Sequence, residues 1–109
     1  MSKTVQLVGF DVFPEDLKKQ INVVSNRLLD KYKKMFGEES LKMFKLAVDK
    51  KRERGEHTLF EIKGSLSTSH GLFYAVHSDW KILDATEKVI KELERQMTSK
   101  KEKMKTGKK

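Results

Sequence analysis

The hydrophobic period changes twice along this 109-residue chain, and that order of periods admits few folds. Leu17, Ile21, Val24, Leu28, Tyr32 and Met35 recur every three or four residues, which puts one apolar stripe on a helix of about 20 residues. The period then drops to two. Phe44, Leu46 and Val48 alternate with Met43, Lys45 and Ala47, and Phe60, Ile62, Gly64 and Leu66 alternate with Glu61, Lys63 and Ser65. Both stretches are half-buried strands, because successive side chains of a strand point to opposite faces. Ile82, Thr86, Val89, Ile90, Leu93 and Met97 then restore the helical spacing.

Punctuation residues divide these segments further. Thr4 to Phe10 is rich in β-branched residues and contains Gly9, so it predicts a first strand. Pro14, Glu15 and Asp16 open the first helix, since proline is favoured in the first turn and acids meet the positive end of the dipole. Gly37 is its expected C-cap. Asp49 to Glu56 predicts a charged connection, Ser69-His70-Gly71 a hairpin turn, and Leu72 to His77 a further strand. Asp79, with Ser78 as the alternative, is the expected N-cap of the last helix. The expected fold class is therefore α+β, in the order β-α-β-β-β-α. Two helices with one apolar stripe each should cover one face of a four-stranded sheet.

Residues 1–99 are expected to form one domain. Residues 100–109 hold Lys100, Lys101, Lys103, Lys105, Lys108 and Lys109 against Glu102, and with nothing apolar after Met97 except Met104 they predict a basic, disordered tail. The chain carries a net charge of +8 and a pI near 9.7, which points to a polyanionic partner. It contains no cysteine, excluding disulfides, zinc-thiolate sites and a cysteine nucleophile, and this suits a cytoplasmic location. No apolar run approaches the roughly 20 residues of a membrane span, so no membrane partner is expected.

Little catalytic chemistry is legible. His57, His70 and His77 do not pair at a metal-ligand spacing, and ordinary surface or partly packed histidines explain them. Ser65, Ser67 and Ser69 sit in no nucleophile elbow. Gly55, Gly64 and Gly71 are isolated and make no phosphate loop. No enzyme, cofactor, metal or small-molecule substrate is expected. The basic residues carry a positive signal instead. Arg27, Lys31 and Lys34 share one face of the first helix; Lys88, Lys91 and Arg95 share one of the second, with Lys103 extending the row. Two such ridges side by side would suit the backbone of A-form RNA. Asp30, Glu87, Glu92 and Glu94 interrupt the rows, so ordinary lysine-rich outer faces remain the bland alternative.

Leu93-Glu94-Arg95-Gln96-Met97 resembles the Leu-Glu-Arg-Gln-Leu stretch of the ribosome hibernation-promoting family, also called the ribosome-associated inhibitor family. Asp79 and the run through Ile82, Ala85 and Val89 are similar to that family's acidic cap and helix opening. Lys31 to Phe36 resembles its first-helix ending, and Gly9 falls where the family has a glycine after the first strand. The chain departs in having Phe10 after that glycine, Glu92 before the Leu-Glu-Arg-Gln stretch, and a long charged connection between the second and third strands. The resemblance implies a non-enzymatic factor that occupies the messenger and transfer RNA channel of the small ribosomal subunit and silences idle ribosomes. It implies ribosomal RNA contacts by Arg27, Lys31, Lys34, Lys91, Arg95 and Lys103; Lys88 joins them by its place in the row. The alternatives are a general double-stranded RNA-binding domain, and a small protein-interaction or assembly domain with a basic tail.

Overall fold

The computed structural model describes residues 5–106, with side chains through residue 103. Strand β1 (Val5–Val8) is followed by helix α1 (Glu15–Phe36) and a single 3₁₀ turn (Glu38–Ser40). Strands β2 (Leu41–Arg54), β3 (His57–Thr68) and β4 (Gly71–Asp79) follow, then helix α2 (Ile82–Thr106). The order is β-α-β-β-β-α, as the periods predict. The strands form one mixed sheet in the order β1-β2-β3-β4. β1 runs parallel to β2, with Val5 opposite Phe44 and Val8 opposite Ala47, while β2, β3 and β4 form an antiparallel meander.

One face of the sheet is covered and the other is open. Phe44 and Leu46 of β2, Ile62 and Leu66 of β3, and Phe73 and Ala75 of β4 are buried beneath Ile21, Leu28, Leu29 and Tyr32 of α1 and Val89, Ile90, Leu93 and Met97 of α2. The alternate residues Met43, Leu72, Tyr74 and Val76 are exposed on the far face. Gly64 lies in the middle of the covered face. A Cβ there would meet Val89 Cγ1 at 2.5 Å, so the bare backbone lets α2 settle close against β3.

Local physics explains the element ends. The Gly37 N–H donates to the Lys33 carbonyl at 2.8 Å, and its φ of +93° is one that glycine adopts without a Cβ clash. Gly9, at φ +83°, turns the chain out of β1 and sends Phe10 inward, where it is 1% exposed against Phe13. β1 is thus shorter than expected: Gly9 and Phe10 belong to the turn, and Thr4 lies outside the described residues.

Three expectations are corrected. Asp49–Glu56 is no loose connection: β2 runs on to Arg54, and β3 begins at His57 after a two-residue turn with Gly55 at φ +60°. Asp79 is the last residue of β4 rather than the helix cap, and the Lys81 carbonyl accepts the first helical bond, from Ala85 N–H at 3.0 Å. Asp79 still serves the helix entrance, since its Oδ1 accepts the Lys81 N–H at 3.1 Å. Finally, α2 continues through Thr106. Lys101, expected in a disordered tail, lies 5.4 Å from the centre of the Phe36 ring and donates to the Met35 carbonyl at 2.6 Å. Residues 107–109 lie outside the described residues.

Candidate nucleic-acid interface

Both helices pack their apolar stripes on the sheet, so their polar flanks meet along a surface groove. Its wider part has a volume of about 460 Å³ and is lined by Lys31 from α1 and by Lys91, Glu94, Arg95 and Glu102 from α2. A narrower part of about 250 Å³ continues past Arg27 and Lys91, with Val24 and Ile90 below and Glu87 and Glu94 alongside. Lys91 and Glu94 line both parts. The helical pitch produces this arrangement. Arg27 and Lys31 are one turn apart on α1, as are Lys91 and Arg95 on α2, so each pair stands in a row facing along the groove.

The groove therefore gathers Arg27, Lys31, Lys91 and Arg95 from the seven candidates. Lys34, Lys88 and Lys103 do not line it. Lys88 is engaged elsewhere: its Nζ lies 2.7 Å from Asp79 Oδ2, tying the first turns of α2 to the end of β4. That hydrogen bond raises the Lys88 pKa and holds the Asp79 carboxyl below its usual range.

The groove cations are not equivalent. Arg27 and Lys91 form no ion pair among the described residues. Lys31 lies 4.0 Å from Glu94 Oε1, a loose exposed contact worth little. Arg95 is held twice by Glu92, Nε to Oε1 at 3.0 Å and Nη2 to Oε2 at 2.6 Å. The guanidinium, with help from Gln96, holds the Glu92 carboxyl down to about 2, and its own pKa rises in turn. Arg95 thus stands already neutralised and fixed in direction, and a phosphate would have to compete with Glu92 for it. With Glu87, Glu94 and Glu102 also lining it, the groove is a mixed-charge surface rather than a uniformly basic one.

The Leu93 to Gln96 stretch is now resolved residue by residue. Leu93 enters the core, Glu94 faces Lys31, and Arg95 lies on Glu92. Gln96 has a role that sequence spacing does not reveal. Its Nε2 donates to the Tyr74 carbonyl at 2.8 Å, and its Oε1 accepts the Tyr74 N–H at 3.2 Å. One side-chain amide thereby mimics a strand neighbour at the edge of β4, where no further strand pairs among the described residues. Gln96 also donates to Glu92 Oε2 at 3.1 Å, so edge protection and Arg95 positioning form one network.

His70 packs against Phe36 at 5.0 Å between ring centres, and its backbone N–H donates to Thr68 Oγ1 at 3.0 Å; both are structural contacts. Among the described residues, no cluster of histidine and carboxylate side chains could hold a metal ion, and no helix is long and apolar enough to cross a membrane.

No protein-family model matches the chain, and no curated protein matches it by sequence. Solved structures do match. A ribosomal subunit interface protein from Coxiella burnetii superposes with a TM-score of 0.61 at 10% identity, covering 91% of this chain and 96% of that one. The N-terminal domain of Thermus thermophilus Protein Y superposes with a TM-score of 0.60 at 14% identity, covering 94% and 98%. The shared fold spans nearly the whole of each chain.

Proposed function

We propose that this chain is a cytoplasmic, non-enzymatic ribosome-binding factor of the hibernation-promoting type, and that the groove between α1 and α2 contacts ribosomal RNA of the small subunit. The observation that carries the reading is the end-to-end fold likeness to a ribosomal subunit interface protein, in a chain whose two helices bring Arg27, Lys31, Lys91 and Arg95 to one groove. Arg27 and Lys91 neutralise phosphates directly. Lys31 and Arg95 do so after exchanging Glu94 and Glu92 for phosphate oxygens. Inhibition is steric: the factor occupies the channel of messenger and transfer RNA, so translation stops and the idle ribosome is preserved.

The test is co-sedimentation with purified small subunits at fixed salt. Arg27→Glu combined with Lys91→Glu removes two phosphate contacts and adds repulsion. An affinity loss on the order of 10²-fold is expected, roughly 2.7 kcal/mol. Both side chains are exposed, so thermal unfolding should be nearly unchanged. Full affinity in the folded double variant would rule out the groove. The protein-interaction alternative then gains weight, because Leu72 (67% exposed), Tyr74 and Val76 leave an apolar stripe on the open sheet face.

A further inference from the structure

The β2–β3 hairpin outgrows its sheet. Among the described residues, β1 pairs with β2 from Phe44 to Ala47, and the pairing of β4 with β3 stops at Phe60 opposite Asp79. Beyond those points the pairs Arg52–Leu59, Glu53–Thr58 and Arg54–His57 form a two-stranded ribbon with no strand beside it among the described residues. This ribbon carries Lys50, Lys51, Arg52 and Arg54 against Glu53 and Glu56, and Lys51 already faces Glu61 at 3.3 Å. Where β4 ends beside it stand Trp80 and Lys81. Arg54, His57, Trp80 and Lys81 line one cleft of about 490 Å³.

That lining differs in kind from the inter-helix groove. Among the described residues it holds two permanent cations, an imidazole and an indole, and no acid. Neither Arg54 nor Lys81 forms an ion pair among the described residues. Trp80 is 41% exposed, although a large apolar ring is costly to leave in water. Its volume falls in the range of small-molecule sites, large enough for one nucleotide. An indole bordered by unpaired cations is the chemistry that holds a stacked base and its phosphates.

We propose that this cleft takes one unpaired nucleobase of an RNA strand, stacked on the Trp80 indole, with Arg54 and Lys81 on the flanking phosphates and Arg52 guiding the strand along the ribbon. The choice of RNA over DNA rests on the function proposed above; the stacking does not. This site is separate from the inter-helix groove and reads a single strand rather than a duplex.

Trp80 is the single tryptophan of the chain, so its fluorescence reports on this cleft alone. The full chain is titrated with an oligoribonucleotide of mixed sequence about ten nucleotides long. Saturable quenching is expected from the single strand. An abasic strand of the same length and charge, or the same sequence as a duplex, should quench little. By anisotropy of a labelled strand, Trp80→Ala should bind about tenfold more weakly, while Trp80→Tyr, which keeps a stacking ring, recovers most of the loss. Equal quenching by the abasic strand, or undiminished affinity in Trp80→Ala, overturns the proposal. Arg27→Glu with Lys91→Glu should leave the quenching intact. In the unmutated chain, intact quenching without small-subunit binding would sink the function proposed above and leave this site standing.

Discussion

Replacing Gly64 by alanine should loosen the whole molecule through one methyl group. The added Cβ would lie 2.5 Å from Val89 Cγ1, 3.2 Å from Leu46 Cδ2 and 3.3 Å from Leu93 Cδ1. Carbon atoms pack at about 3.5–4.0 Å, so the Val89 contact must open by roughly 1 Å. Val89 cannot simply turn aside, because a β-branched residue in a helix has one strongly favoured rotamer. Helix α2 must lift instead, and overpacking of this kind costs about 1–3 kcal/mol. Alanine also restricts the unfolded chain, which returns about 0.4–1 kcal/mol. The backbone adds no strain, since Gly64 is not among the glycines with positive φ. The net expectation is a loss of about 1–2 kcal/mol, or roughly 5–15 °C in Tm for a domain of this size. Urea unfolding followed by circular dichroism should show a lower midpoint at unchanged slope. The decisive variant is Gly64→Ala with Val89→Ala, which removes the atom in the way. It should be more stable than the two single losses sum to, by about 1 kcal/mol or more. Strict additivity, or a Gly64→Ala protein as stable as the parent, would refute the close approach of α2 to β3. The lift also has a functional reading: α2 carries Lys91 and Arg95, so small-subunit binding should weaken in the single variant and recover in the double.

Three further perturbations test the polar contacts. Glu92 titrates near 2 in the folded protein against an ordinary value of 4.5, so its contribution is complete above about 4.5 and is lost as pH falls towards 2; the Tm difference between wild type and Glu92→Gln, plotted against pH, should shrink across that window, and a constant difference would argue against the Arg95 pairing. Gln96→Leu removes the amide that covers the β4 edge, so hydrogen exchange at the Tyr74 N–H should quicken while stability falls by about 1 kcal/mol. Lys101→Ala should cost about 0.5–1 kcal/mol by removing the cation over Phe36, and a neutral result would return residues 100–106 to the role of a loose tail.

The order of elements was determined by the sequence alone, because each signal is local. The stripe from Ile82 to Met97 is buried as its spacing requires, and the alternation from Phe60 to Leu66 sorts those side chains between core and open face. Gly37 terminates α1, as its place after Phe36 predicts. The length of the β2–β3 ribbon was invisible for the converse reason. Residues 50–57 bury neither face, so they carry no alternation to detect, and their strand character comes from cross-strand pairing alone. The partners of the charged side chains were hidden as well. Lys88 and Arg95 occupy equivalent places in one helical row, yet one is joined to Asp79 nine residues back and the other to Glu92 within its own turn. Helical spacing says which way a side chain points, but the acid it meets depends on where β4 ends. The parallel pairing of β1 with β2, the contact of Gln96 with Tyr74 and the seating of Lys101 on Phe36 join residues far apart in the chain. Only the packed sheet and helices bring such groups within reach, so only the tertiary structure could decide which of the basic residues meet in one groove.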